Sequence, residues 1–155
     1  MNQAVEYFKK QDMESRITEF EVSSATVELA AKAVGCEPQQ IAKTLSFLVN
    51  DVPILIVAAG DTKIDNSKFK AQFQTKAKML TPEQVNSLIG HSIGGVCPFG
   101  IKSGVEVYLD LSLKRFSSVF AACGSSNTVI QLSIEELELH SGYLGWIDVC
   151  KGRND

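Results

Sequence analysis

Residues 53–59, Pro53-Ile54-Leu55-Ile56-Val57-Ala58-Ala59, are apolar at every position. A strand of that composition has to be covered on both faces, so it belongs at the centre of a sheet. A second apolar run, residues 41–49, precedes it across Asn50-Asp51, a tight-turn signal. The two runs, 43–49 and 53–59, are expected to pair as a hairpin. Pro53 stands at the first residue of its strand, where it removes no interior ladder bond. With 155 residues, the chain is long enough to build a covered core around this hairpin as one domain, residues 1–155.

The first strand of the hairpin carries the oddity. Alternation places Ile41, Lys43, Leu45, Phe47 and Val49 on one face and Ala42, Thr44, Ser46 and Leu48 on the other. Lys43 is the one charged member of an otherwise apolar face. An ammonium there must snorkel to water, find an anion, or accept a lowered pKa. On alternation alone the economical account is a lysine at the strand mouth whose stem packs while its head reaches solvent. The rival account is a lysine that meets a ligand.

The rest of the chain reads as short elements of both kinds. Residues 2–11 are expected to form a helix with Val5, Phe8 and Ala4 turned inward, and 17–22 a half-buried strand. Ser23 and Ser24 can cap a helix whose stripe is Val27, Ala30, Ala31 and Val34, with Gly35 at its C-terminal end. Residues 37–40 make a short turn. A helix over 65–73 sets Phe69 and Phe73 inward and Lys68 and Lys70 outward. Thr81 with Gln84, and Ser133 with Glu136, are capping boxes. The first opens a helix with Val85, Leu88 and Ile89 buried and Gly90 at its end; the second opens a helix to about residue 139. Strands are expected at 105–109, 117–122, 128–132 and 146–149, with a frayed tail at 151–155. Strands outnumber helices, which implies an α+β domain on a mostly antiparallel or mixed sheet.

Several function classes lose support here. The longest apolar run, residues 52–59, is too short to span a bilayer. Glu6, Lys9, Lys10 and Asp12 do not suit a signal peptide, so a cytoplasmic protein is expected. Cys36, Cys97, Cys123 and Cys150 never form Cys-x-x-Cys, and His91 and His140 lie in different segments. Such spacing implies no metal and no cofactor. The net charge of −3 is unevenly placed: residues 41–80 carry +3 between flanks of −3 each. The excess comes from Lys43, Lys63, Lys68, Lys70, Lys76 and Lys78, a patch that could hold a polyanion at one place or form an ordinary solvated face.

Residues 93–100, Ile93-Gly94-Gly95-Val96-Cys97-Pro98-Phe99-Gly100, form the second candidate feature. Paired glycines let backbone approach a ligand and turn N–H groups toward an anion, and Pro98 stiffens the loop. The Gly-Lys-Ser/Thr ending of a phosphate-binding loop is missing, and so is a dinucleotide fingerprint. A tight turn without a ligand fits the spacing equally well. Cys97 with His91 could suggest a thiol–imidazole pair, but such pairs are normally distant in sequence and oriented by a third group. Glu135, Glu136 and Glu138 sit on a solvated helix. An enzyme built from these parts works by positioning, with water or a substrate group as nucleophile.

Three segments in order carry a resemblance. Glu37-Pro38-Gln39-Gln40-Ile41-Ala42-Lys43-Thr44-Leu45, then residues 93–100, then Ala122-Cys123-Gly124-Ser125-Ser126-Asn127-Thr128-Val129-Ile130-Gln131-Leu132 resemble the motifs of the YbaK/EbsC family. Its members are free-standing aminoacyl-tRNA deacylases related to the editing domain of bacterial prolyl-tRNA synthetase. The resemblance implies a curved, barrel-like mixed or antiparallel sheet flanked by short helices. It also implies hydrolysis of the ester joining a wrong amino acid, a small one on the proline acceptor, to the tRNA 3′ end, with no metal and no covalent intermediate. Lys43 matches the family's essential lysine. Thr44, Gly94, Gly95, Val96, Cys97, Pro98, Gly124, Ser125 and Asn127 are implied to meet the substrate, and Lys63, Lys68 and Lys70 the tRNA. The partners implied are mischarged tRNA and an aminoacyl-tRNA synthetase, for a protein acting as a monomer. The third motif departs from members that carry an acidic residue or histidine there, since residues 125–129 contain nothing ionisable. The alternative function is a non-catalytic module of the same fold that binds a tRNA end or a nucleotide.

Overall fold

The computed structural model describes residues 2–92 and 94–152; Ile93 of the glycine-rich stretch and residues 153–155 of the expected tail lie outside them. Asn2 opens the chain as a helix cap, its Oδ1 accepting the Ala4 and Val5 N–H groups at 3.0 and 3.1 Å. It starts α1 (Gln3–Lys10), which buries Ala4 and Phe8. Strand β1 (Ile17–Glu19) is shorter than the alternation implies: the Phe20 N–H still donates to the Asn127 carbonyl at 2.8 Å, but the Phe20 carbonyl accepts from the Asn127 side chain rather than from its main chain. Helix α2 (Val27–Val34) is capped by Thr26 rather than by Ser23 or Ser24, and ends at Gly35 with φ +78°. A 3₁₀ turn, Pro38–Gln40, delivers the chain into β2 (Ile41–Val49).

The hairpin forms as the pattern requires. β2 pairs antiparallel with β3 (Val52–Ala59) through eight residue pairs from Ala42–Ala59 to Val49–Val52. Asn50 and Asp51 both have positive φ, +49° and +67°, the signature of a primed two-residue turn. β4 (Thr62–Ile64) follows, then α3 (Asn66–Phe73) behind an Asp65 cap. α4 (Pro82–Gln84) starts on the Thr81 capping box, runs on as a π-helical turn, Val85–Ile89, and stops at Gly90. β5 (Glu106–Asp110), a 3₁₀ turn Leu111–Arg115, β6 (Ser118–Ala122), β7 (Thr128–Ser133), α5 (Ile134–Ser141), β8 (Gly145–Ile147) and β9 (Cys150–Gly152) complete the order. Lys151 and Gly152 therefore belong to a strand, which corrects the tail expected from 151.

A seven-stranded mixed sheet runs β1-β7-β6-β2-β3-β5-β8, and β4 pairs with β9 in a separate ribbon. Residues 54–59 of β3 are all buried. One face of the hairpin, with Leu55, Val57 and Ala59, packs under Phe8, Ile89, Phe99 and Leu137. The other, with Phe47, Ile54, Ile56 and Ala58, packs under Phe69, Ile147 and Val149. Helices and loops thus cover both sides of an α+β sheet. Among the described residues no helix is long and apolar enough to cross a membrane.

Asp110 ties the second core together. It is 2% exposed, and its carboxylate accepts the Val149 N–H at 3.0 Å and the Ser112 N–H at 2.9 Å. Replacing it leaves a buried N–H without an acceptor. Asp110→Ala is expected to cost about 1–3 kcal/mol, read as a lower denaturant midpoint at unchanged slope. A midpoint equal to wild type would contradict this role.

Candidate active site

β2 and β6 run parallel for only two residue pairs, Ile41–Phe120 and Ala42–Ala121. Beyond Ala42 the strands part, and the outer edge of β2 is met again at Ser46, whose carbonyl accepts the Leu80 N–H, and at Leu48, whose N–H donates to Lys78. Main-chain groups alternate sides along a strand, so Thr44 turns its N–H and C=O to this same edge. An open cleft of about 260 Å³ lies at the parting. Lys43, Thr44 and Ile41 of β2, Ala122 of β6, Val27 and Ala30 of α2, residues 24–26, and Gly94 and Val96 of the glycine loop line it.

Lys43 is half-buried on the face that carries Phe47, and its Nζ donates to the Thr62 carbonyl. A carbonyl acceptor thus meets the ammonium that alternation left in question. Asp61, the residue before Thr62, takes a fork from Arg115, with Nη2–Oδ1 at 2.5 Å and Nη1–Oδ2 at 3.0 Å. The Arg115 hydrogen bond holds the Asp61 carboxyl below its ordinary range, with the Lys43 charge adding a smaller push.

The two glycine-bearing loops meet. Gly124 donates its N–H to the Gly95 carbonyl at 3.0 Å, and a Cβ on Gly95 would run into the Gly124 and Ser125 backbone. Gly95 is glycine because the loops touch backbone to backbone. Gly94, at φ +90°, sits against Ala25 and Ser126 at the cleft wall. Ser24 closes the same junction, its N–H donating to the Ser126 carbonyl at 2.6 Å. Asn2 adds a tether, its Nδ2 donating to the Cys123 carbonyl at 2.8 Å.

Of the candidate substrate residues, Lys43, Thr44, Gly94 and Val96 line the cleft, and Gly95 and Gly124 stand behind it. Cys97 and Pro98 are both buried, the Cys97 side chain in the main core, and neither is among the residues that line the cleft. Ser125 and Asn127 turn their polar ends into their own loop. Ser125 Oγ donates to Asn127 Oδ1 at 2.9 Å, and Asn127 Nδ2 donates to the Phe20 carbonyl at 2.9 Å.

Cys97 also fails the chemistry of a nucleophile. Its thiol is fully buried and pushed far up by desolvation. The neighbouring His91 Nε2 lies 3.5 Å from the sulfur but 2.8 Å from the Phe99 carbonyl, which calls for a donating N–H there. Burial raises the Cys123 and Cys150 thiols to about 12 as well. Among the described residues no group of three or more His, Cys, Asp or Glu could hold a metal ion.

The basic segment divides. Lys63 joins Lys43 in a second groove with Leu45, Phe47, Ile64 and Met79, about 360 Å³. Lys70 and Lys76 line a third of about 430 Å³, which shares Asn66 and Ala77 with the second. Neither groove has an acidic lining residue. Lys68 is committed elsewhere, to Asp148 Oδ1 and the Cys150 carbonyl at 3.0 Å each, where it staples α3 to the last strand.

The residues that sequence reasoning missed include residues 24–27, Ala30 and Ala122 of the cleft, and Arg115, which binds Asp61. Val27 and Ala30 were visible as a helix stripe, but nothing in the pattern says which part of a stripe stays uncovered. Arg115 ends an unremarkable turn and gave no signal.

Residues 21–139 match the model of the aminoacyl-tRNA editing domain. The chain is 55% identical over 146 residues to an uncharacterized protein of Bacillus subtilis (strain 168), YwhH, covering 94% of this chain and 93% of that one. It is 30% identical over 104 residues to a proline–tRNA ligase of Shouchella clausii (strain KSM-K16), 66% of this chain but only 18% of the ligase. A solved structure assigned provisionally as a trans-editing enzyme for prolyl tRNA synthetase superposes with a TM-score of 0.85 at 28% identity, covering 97% of this chain and 96% of that one.

Two outcomes check the site's chemistry. A thiol reagent should label the half-buried Cys36 first in the native protein and reach Cys97, Cys123 and Cys150 only on unfolding. Rapid native labelling of Cys97 would contradict its burial. His91 is held below its ordinary value near 6.5 by desolvation, so the unfolded chain takes up that proton first. Its contribution is complete above about pH 6.5 and is lost as pH falls through the folded value. His140 shares the sign. The melting temperature should drop from pH 7.5 to 5.5, and His91→Asn should flatten that drop; an equal drop in the variant would rule His91 out as its source.

Proposed function

From the premise that this chain belongs to the aminoacyl-tRNA editing domain family, we propose that it is a trans-editing hydrolase that removes a small amino acid from mischarged tRNA, on the proline acceptor. The observation that carries the reading is the cleft at the parting of β2 and β6, where Lys43, the open main-chain edge at Thr44 and the glycine loop converge. Its walls are mostly small side chains, which suits a small aminoacyl group and excludes a larger one, as a second editing sieve requires.

The chemistry needs little from the protein. An aminoacyl ester is already activated. A water held in the cleft adds to the ester carbonyl carbon, and the bond to the terminal ribose oxygen breaks. The water's proton passes to that oxygen, which frees the amino acid and the tRNA. Backbone N–H groups on the Thr44 edge and in the glycine loop are placed to donate to the developing oxyanion, and the Lys43 ammonium supplies positive charge to that oxygen or to the terminal phosphate. Water serves as the nucleophile, in keeping with the buried thiols. The tRNA 3′ strand leaves the cleft along the two adjoining grooves, where Lys63, Lys70 and Lys76 face its phosphates. A synthetase that releases the mischarged tRNA is the natural partner of a monomeric editing protein.

The test is deacylation of tRNA-Pro charged with alanine, cysteine or serine. At least one should be cleaved well above buffer, and Lys43→Ala should lower that rate by about 100-fold or more, the order of an oxyanion donor. If no substrate is cleaved, yet tRNA binding depends on Lys43, the protein is a binding module of this fold and the hydrolase reading fails.

A further inference from the structure

β4 and β9 form a ribbon of two short strands, and its register sets Lys63 directly opposite Lys151. Residues opposite each other in an antiparallel pair project to the same face, where like charges repel. Asp65 is held below its ordinary range first by the Lys68 N–H and, less strongly, by the Lys151 charge. Its Oδ1 is engaged in the cap of α3, accepting the Ser67 and Lys68 N–H groups at 3.0 and 3.1 Å. That carboxylate, already engaged, does not balance two ammonium groups on one face. The ribbon borders the second groove, where Lys63 and Ile64 stand with Leu45, Phe47 and Met79. Leu45 and Ile64 are half-buried, but Met79 is 60% exposed. Its main chain is nonetheless fixed on β2: the Leu48 N–H donates to the Lys78 carbonyl at 2.9 Å, the Leu80 N–H to the Ser46 carbonyl at 3.2 Å, and Met79 stands opposite Phe47. An apolar surface is thus held open beside a repelling lysine pair. The groove also shares Lys43 and Leu45 with the cleft.

We propose that this groove and the ribbon beside it seat one unpaired nucleotide of an RNA strand, the neighbour of the nucleotide that carries the ester. Its base lies on Leu45, Ile64 and Met79, and its phosphate bridges Lys63 and Lys151. A base offers a flat face that apolar side chains can cover, and methionine adapts to any of the four. A phosphate between the two lysines turns a repulsive cross-strand pair into a bridged one. A base held in a duplex keeps its faces stacked on its neighbours, so the seat takes only an unpaired one. Continuity through Lys43 and Leu45 places it one step along the strand from the cleft. That the strand is a charged tRNA rests on the proposed function; the seat for an unpaired nucleotide does not.

The binding probe is the uncharged RNA 5′-ACCA-3′, titrated into the wild-type protein and followed by amide NMR. Saturable shifts are expected at Lys63, Ile64, Met79 and Lys151, and their absence at saturation overturns the proposal. The same RNA with an abasic third nucleotide should bind about fivefold or more weakly, and equal binding refutes the base seat. Lys151→Ala should weaken binding and reduce the slope of log affinity against log salt by about 0.7, one single-strand phosphate. An unchanged slope refutes the phosphate contact. The variant should melt no lower than wild type, because a like-charge pair has been relieved. A clear drop would make Lys151 a structural partner of Asp65 and overturn the proposal. On alanyl-tRNA-Pro, Lys151→Ala should raise KM about fivefold and keep kcat, the sign of lost substrate binding. The alanyl ester of adenosine lacks the second nucleotide, so its cleavage should stay at the wild-type rate. An equal loss on both substrates overturns the seat. If the wild-type protein cleaves neither substrate while the RNA binds as stated, the proposed function fails and the seat stands.

Discussion

Two residue pairs, Ile41–Phe120 and Ala42–Ala121, join the two parts of the large sheet, β1-β7-β6 on one side and β2-β3-β5-β8 on the other. Strands that pair so briefly diverge, and the edge they expose has to be met by something else. Part of the β2 edge is covered by residues 78–80, which return to bond Ser46 and Leu48. The part at Thr44 is left to the cleft. A main-chain edge inside a fold is usually an unpaid cost; here it offers donors and an acceptor to whatever enters. The cleft is therefore a consequence of topology before it is a matter of side chains.

What keeps the parting from collapsing is backbone packing above it. The glycine loop and the loop after β6 touch through Gly95 and Gly124, with Asn2 and Ser24 bonding into the second loop from α1 and from the segment before α2. The polar side chains of Ser125 and Asn127 hold that loop, which is why the third motif, past Ala122, supports the cleft rather than lining it. On the lower side, the Thr62 carbonyl accepts from the Lys43 ammonium, and the Arg115–Asp61 fork holds the residue before Thr62. A rigid rim and a located cation are the ingredients that a site working by preorganisation needs.

Much of this was legible in the chain because it depends on local pattern. The double-sided apolar run 53–59 defined the central strand, Asn50-Asp51 its turn, and the capping boxes at Thr81 and Ser133 two helix starts. Lys43 stood out by alternation, and the comparisons bear out the family that its segment resembles. The misses have a common cause, since each depends on contacts distant in sequence. β4 and β9 are three residues each and pair across the chain, too short to show a period. Cys97 looked available in a glycine-rich loop, yet Cys97 and Phe99 of that loop are packed into the core. Lys68 and Lys70 read alike on one helix, and only the position of Asp148 separates a staple from a groove lysine.

The central claim is that the parting of β2 and β6 receives the aminoacyl end of the tRNA. The most direct measurement is an amide NMR titration with adenosine carrying alanine through a 3′-amide, a non-hydrolysable stand-in for the ester. The account predicts saturable shifts centred on the N–H groups of Thr44, Gly94 and Val96, with smaller ones at Val27 and Ala122. Shifts confined to another surface, or none at these residues at saturation, would contradict it.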